Sequence, residues 1–197
     1  MRLKKFLIFA FIITNLVGFN QSYSIEPDVF VQSTVNRASE ALNNKYSKKE
    51  KIEKLKQIAS ETVDINGIGY YTLGTYRKNI NEDQKKEYSN LFEQYFLKSF
   101  ASRLAEYSNP EIEVVSKKKL NENYTMVSSV LVGTEQRPKV KIDWRIYTKN
   151  PEIPLIRDLT IEGLSLVRTQ REEFSSIIQS KDGDINALFS TLKEFIK

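Results

Sequence analysis

Neither cysteine nor histidine occurs among the 197 residues. Without thiols the chain forms no disulfide, no thiolate metal site and no Cys nucleophile, and it carries no lipid-modified cysteine. Without imidazole it has no Ser-His-Asp triad and no histidine-based acid–base chemistry. No glycine-rich phosphate loop and no metal-ligand spacing is found, so no cofactor and no metal are expected. No Pro/Gly/Ser linker, internal repeat or low-complexity tract divides the chain. What is present is ordinary for a globular protein: 40% hydrophobic and 28% charged residues, with 30 basic against 25 acidic side chains and a formal charge of +5.

The first 24 residues differ from the rest. Arg2, Lys4 and Lys5 form a basic start, and Phe6 to Phe19 is an apolar run broken only by Thr14, Asn15 and Gly18. Ser22-Tyr23-Ser24 then sets small residues around a larger one, completing the three-part pattern of a secretory signal peptide. A helix of 14 residues spans about 21 Å, short of the roughly 30 Å hydrocarbon core, which argues against a membrane anchor. Residues 1–24 are therefore expected to be removed, leaving 25–197 as a single exported, soluble domain. All 25 acidic residues and all but three of the basic ones lie in that domain, so its charge is only +2. Such a balance does not suit nucleic-acid binding.

Hydrophobic periodicity makes the first half helical. Pro27 opens a helix carrying Val31, Val35, Ala38 and Leu42. Ser47-Lys48-Lys49-Glu50 is a capping box for a second helix with Ile52, Leu55, Ile58 and Ala59 on one face. Asp64 caps a short third helix that Gly74 ends. Asn81 to Gln84 caps a long fourth running towards Tyr107, with Tyr88, Leu91, Phe92, Tyr95, Phe96, Phe100 and Leu104 as an aromatic stripe. Asn109-Pro110 ends it. The second half alternates instead. Ile112 to Val115, Tyr124 to Val132, Lys139 to Tyr147 and Leu155 to Ile161 read as strands, with Lys117 to Asn123 as the first turn. Gly163 breaks the last strand. Two closing helices are capped by Thr169 to Glu172 and by Asp184. The expected class is α+β, a curved antiparallel sheet of about four strands with about six helices covering one face.

Two patterns bear on function. Asp158 and Glu162 are the only carboxylates placed to run acid–base chemistry in a cone-shaped pocket, as ketosteroid isomerases do. Their structural alternatives are pairing of Asp158 with a base such as Arg145, and a cap or backbone bond from Glu162 at the Gly163 turn. The aromatic stripe faces a strand bearing Val140, Ile142 and Trp144, which makes either a filled core or the wall of a dry cavity. An apolar cavity stabilises an acyl chain by about 25 cal/mol per Å² removed from water. Periodicity does not separate the two. The lysine-rich Lys45 to Lys56 and Lys117 to Lys119 segments read as solvated faces, or as docking surfaces for acidic partners.

Three stretches carry a family resemblance. Gly69 to Arg77, with Leu73-Gly74 before an aromatic and a base, is one. Asn81 to Tyr88, continuing through Leu91-Phe92-Glu93-Gln94-Tyr95-Phe96, is similar to a "T-x-x-Q-R-x-x-F" helix start. Arg157 to Leu166, with its Asp158 and Glu162-Gly163-Leu164-Ser165, followed by Arg171 and Phe174, is the third. In this order they resemble MlaC, the toluene-tolerance family of periplasmic phospholipid-binding proteins. One departure is Ile153-Pro154-Leu155, where many members have Trp. The Gly133 to Pro138 loop is also short.

The resemblance implies a cone related to NTF2-like folds, with acyl chains held between sheet and helices. It makes Phe92, Phe96, Phe100, Val130, Val132, Ile142, Trp144, Leu159, Ile161 and Leu164 the candidate lipid-contacting residues. It also implies a non-enzymatic periplasmic carrier that exchanges phospholipid with an inner-membrane Mla ABC transporter complex and an outer-membrane Mla lipoprotein complex. Such a carrier maintains outer-membrane lipid asymmetry and works as a monomer. The competing expectations are a periplasmic chaperone or lipoprotein carrier, and an NTF2-like enzyme using Asp158.

Overall fold

The computed structural model describes residues 24–134 and 138–197. The expected leader, up to Tyr23, lies outside them, as does part of the loop between the second and third strands.

Local signals set most helix starts. Pro27 stands at the first turn of α1 (Pro27–Ala41). Ser47 caps α2 (Lys48–Thr62) with a reciprocal box: the Glu50 N–H donates to Ser47 Oγ and the Ser47 N–H to Glu50 Oε2 at 2.8 Å. The Gly67 N–H donates to Asp64 Oδ1 at 2.8 Å at the start of α3 (Ile65–Thr72), after which Gly74, at φ 58°, admits a 3-10 turn over Gly74–Lys78. Asn81 and Gln84 form a second capping box for α4 (Glu82–Leu104), about 35 Å long at 1.5 Å per residue. Asp184 caps α6 (Ile185–Ile196).

The strands β1 (Ile112–Asn121), β2 (Tyr124–Leu131), β3 (Val140–Tyr147), β4 (Leu155–Ile161) and β5 (Leu164–Ser165) form one antiparallel meander in chain order. Val127 opposes Trp144 and Ser129 opposes Ile142, so these residues share the face turned to the helices. On β4, Leu159 opposes Trp144 and Ile161 opposes Ile142, while Ile156 opposes Ile146. Ile156 and Leu159 are three residues apart and would fall on opposite faces of a regular strand. A register shift opposite Arg145 and Ile146 restores the common face, as a β-bulge does.

Three expectations need correction. β1 runs through the lysine cluster, and the turn contains only Glu122 and Asn123. The strand pairs on one side only, and lysines on such an edge blunt further pairing without leaving the strand conformation. The fifth helix, α5 (Leu166–Gln179), begins earlier than Thr169: Ser165 caps it, its Oγ accepting from the Arg168 N–H at 3.1 Å. Glu162 and Gly163, at φ 48° and 85°, reverse the chain so tightly that only two residues, β5, precede that cap. The same tight reversal makes the fifth strand, where about four were expected. Among the described residues there are six α-helices, and no helix is long and apolar enough to cross a membrane.

A dry cavity as the candidate functional site

The aromatic stripe of α4 changes role along its length. Tyr88 and Phe92 are core: Phe92 is 2% exposed and packs on Tyr88 at 5.7 Å and edge-on to Phe174 at 6.2 Å between ring centroids. Burial pushes the Tyr88 phenol well above its ordinary range, and its hydroxyl lies 2.8 Å from Thr72 Oγ1. A full turn later the helix leaves the packed region. Phe96 and Phe100, stacked at 5.6 Å and nearly parallel, are only half-buried and line a cavity of about 350 Å³.

That cavity divides the hydrophobic core. On one side stands the main cluster, with Val35, Ala59, Val63, Ile142 and Trp144 on the cavity wall. On the other stands a small cluster of Ala41, Leu42, Leu55, Ile58, Ala101 and Ala105, of which Leu42, Leu55 and Ile58 reach the wall. Both clusters thus contribute to the wall of the void, the smaller standing as a satellite of the main core.

The wall is dry because its polar groups are already paired. Thr34 Oγ1 donates to the Phe30 carbonyl at 2.9 Å, Ser39 Oγ to that of Pro110 at 2.8 Å and Thr62 Oγ1 to that of Ile58 at 2.7 Å. The Trp144 indole N–H donates to Ser129 Oγ at 2.8 Å, and Ser129 is fully buried. Asp158, at the margin, accepts from Ser165 Oγ at 2.6 Å and from the Val167 N–H at 3.1 Å. With these atoms satisfied, the cavity offers an occupant apolar surface and no unpaired hydrogen-bonding group on these residues.

The expected contact residues separate by position. Phe96, Phe100, Ile142, Trp144, Leu159 and Ile161 stand on the cavity wall. Phe92 lies one turn behind it in the core. Val130 opposes Lys141 on the sheet face away from the helices, Val132 follows β2 at 38% exposure, and Leu164 is 53% exposed beside Ile161. Sequence reasoning did not assign to the site the α1 and α2 residues that supply much of the wall, including Val35, Ala38, Leu42, Leu55 and Ile58. Their helical spacing was visible, but nothing local tells a helix face that meets a void from one that meets a core.

The two nominated carboxylates hold the fold. Asp158 stands opposite Arg145 across the ladder, yet its oxygens serve the start of α5. Glu162 accepts from the Lys141 backbone N–H across the hairpin.

The MlaC protein family model matches residues 32–194. A solved structure of a phospholipid-binding protein from Ralstonia solanacearum, in complex with a phospholipid, superposes with a TM-score of 0.72 at 18% identity, over 87% of this chain and 97% of that one. Its likeness extends to the whole α+β arrangement of sheet and helices.

Proposed function

This chain is a member of the MlaC family, and on that premise we propose that it is a phospholipid carrier of the periplasm, exported by a signal peptide over residues 1–24. The observation that carries the reading is the dry cavity dividing the core, with the polar side chains of its wall tied to neighbouring protein groups. Acyl chains bind such a wall by burial alone, at about 25 cal/mol per Å², and need no polar contact along their length. The headgroup stays outside the apolar space. At about 350 Å³ the cavity is near the small end of ligand sites, so a two-tailed lipid requires the two layers to part along the seam between the clusters.

The carrier works as a monomer without a cofactor and without making bonds. It takes phospholipid from one Mla complex and delivers it to another, between an outer-membrane lipoprotein complex and an inner-membrane ABC transporter, and so maintains outer-membrane lipid asymmetry. Native mass spectrometry of protein purified from cells tests the reading. Phospholipid-sized adducts are expected. Absence of lipid together with no uptake from liposomes overturns it, and acylated polypeptide in place of free lipid transfers the site to a lipoprotein chaperone.

A further inference from the structure

A second recess, polar where the first is dry, opens where α3 and the start of α5 meet β4. It holds about 210 Å³, room for about seven waters at ~30 Å³ each. Tyr71, Tyr124, Arg145, Arg157, Asp158 and Ser165 are on its wall. Tyr124 and Arg145 reach it from the outer face of the sheet, since their neighbours Thr125 and Ile146 oppose each other on the helix side. Arg157 reaches it from the β4 irregularity.

The hydrogen-bonding capacity of the recess is one-sided. Asp158 has one oxygen on Ser165 Oγ and the other on the Val167 N–H. Asp64, close by, has one on the Gly67 N–H and the other against Arg157 Nε. Each of these oxygens therefore already has one partner. The guanidinium groups are only partly engaged, Arg157 giving Nε to Asp64. Arg145 enters no ion pair among the described residues, and its Cζ lies 4.8 Å above the centre of the Tyr124 ring. Arg157 lies 4.4 Å above the Tyr147 ring and directs Nη1 to Tyr124 Oη at 3.4 Å, leaving Nη2. Behind the wall, Arg171 sits 5.1 Å from the centre of the Tyr71 ring without itself lining the recess. Arginines placed over tyrosine rings are restricted in orientation, an arrangement that suits a tetrahedral oxyanion.

We propose that this recess binds a phosphate group, either a free phosphate monoester or the phosphodiester of a lipid headgroup. Ile68, Asp158 and Val167 border both the recess and the apolar cavity, so one layer of side chains separates the two. Only the headgroup source rests on the lipid-carrier reading.

Calorimetric titration of delipidated protein with inorganic phosphate and with glycerol 3-phosphate is the test, on wild type, Arg145→Gln and Tyr124→Phe. Saturable one-to-one binding is expected, weakened about tenfold or more in Arg145→Gln and less in Tyr124→Phe. Circular dichroism checks that each variant is folded; Arg145 is exposed and its loss leaves no partner charge behind. The same titration on phospholipid-loaded protein separates the sources. Loss of phosphate binding on loading, with a ³¹P resonance of bound lipid that moves in Arg145→Gln, assigns the recess to the headgroup. Equal binding to loaded and empty protein assigns it to a free phosphate. The proposal is overturned if neither phosphate compound binds and the lipid ³¹P resonance is the same in both proteins, or if phosphate binds Arg145→Gln as tightly as wild type. Lipid co-purifying normally with Arg145→Gln keeps the carrier reading intact in every case.

Discussion

At the residue scale, the aromatic stripe of α4 shows how equal spacing hides unequal environments. Phe92 is enclosed on all sides, whereas Phe100 has one side on the cavity. Phe92→Ala should therefore cost about 3–5 kcal/mol in urea denaturation, and Phe100→Ala clearly less, since the cavity already withholds contacts there. Gly69 supports the same distinction. A Cβ at that position would lie 2.6 Å from Phe92 Cδ1, so Gly69→Ala forces the ring to move and should destabilise by about 1–3 kcal/mol. Sequence periodicity identified the stripe and its face. It could not identify the depth at which packing ends, because depth is set by what stands opposite. Val130 teaches the complementary lesson. The inward positions of β2 include Thr125 and Ser129, and Ser129 is inward because the Trp144 indole needs an acceptor in a buried place. A polar residue on the core face disguises the alternation and makes Val130 look like its inward neighbour.

At the element scale, the features legible in the sequence are those whose physics is local. The caps at Ser47, Asp64, Asn81 and Asp184 satisfy amides two or three residues away, and each stands where the sequence places it. The start of α5 was less legible because it depends on Asp158, seven residues before the cap, and on a reversal at Glu162 and Gly163. The lysines of β1 resemble a turn until the partner strand is known, which hides the length of the strand. One of those lysines ties the sheet to α1: Lys117 Nζ donates to Glu26 Oε2 at 2.6 Å and to Asp28 Oδ1 at 2.8 Å. Its hydrogen bond holds the Asp28 carboxyl below the ordinary value of 3.8, and the Lys117 ammonium is raised in turn by Asp28. A lowered carboxyl contributes stability that is present above the unfolded value and lost as pH falls through the folded one. The acid limb of a stability profile below about pH 4 should accordingly become shallower in Lys117→Met, the variant lying below wild type near neutrality and converging with it as Asp28 protonates. A slope identical to wild type below pH 4 would contradict the linkage.

At the scale of the whole molecule, the missing histidine has a measurable counterpart. Carboxylates titrate below pH 5 and Tyr and Lys above pH 8, so no side chain of ordinary pKa changes charge in between. Thermal stability and retention of any bound lipid should be flat from about pH 5 to pH 7, below the range of the α-amino group, and a sigmoidal step inside that window would point to a shifted side chain. The divided core makes a second prediction. Ala38 lies on the cavity wall, and Ala38→Leu puts apolar volume into the void. The variant should gain about 0.5–2 kcal/mol in denaturation while carrying less co-purified lipid by mass spectrometry. Gain without loss of lipid would mean that the cargo lies elsewhere. The α+β class, the helix order and the meander were visible in the sequence. The void was legible only through the family resemblance and not from periodicity, since a cavity is an absence between elements and leaves no residue to mark it.

Under the proposed carrier function, the divided core links folding to supply. An occupant that fills the void binds the folded chain and not the unfolded one, so mass action adds about 2.7 kcal/mol of stability when free lipid stands at a hundred times its dissociation constant. Loaded and empty copies are then different substrates for a protease, the empty ones opening more often. Limited proteolysis with and without short-chain phospholipid would show it as a change in half-life. The lifetime of the proposed carrier would then gauge how much lipid there is to move.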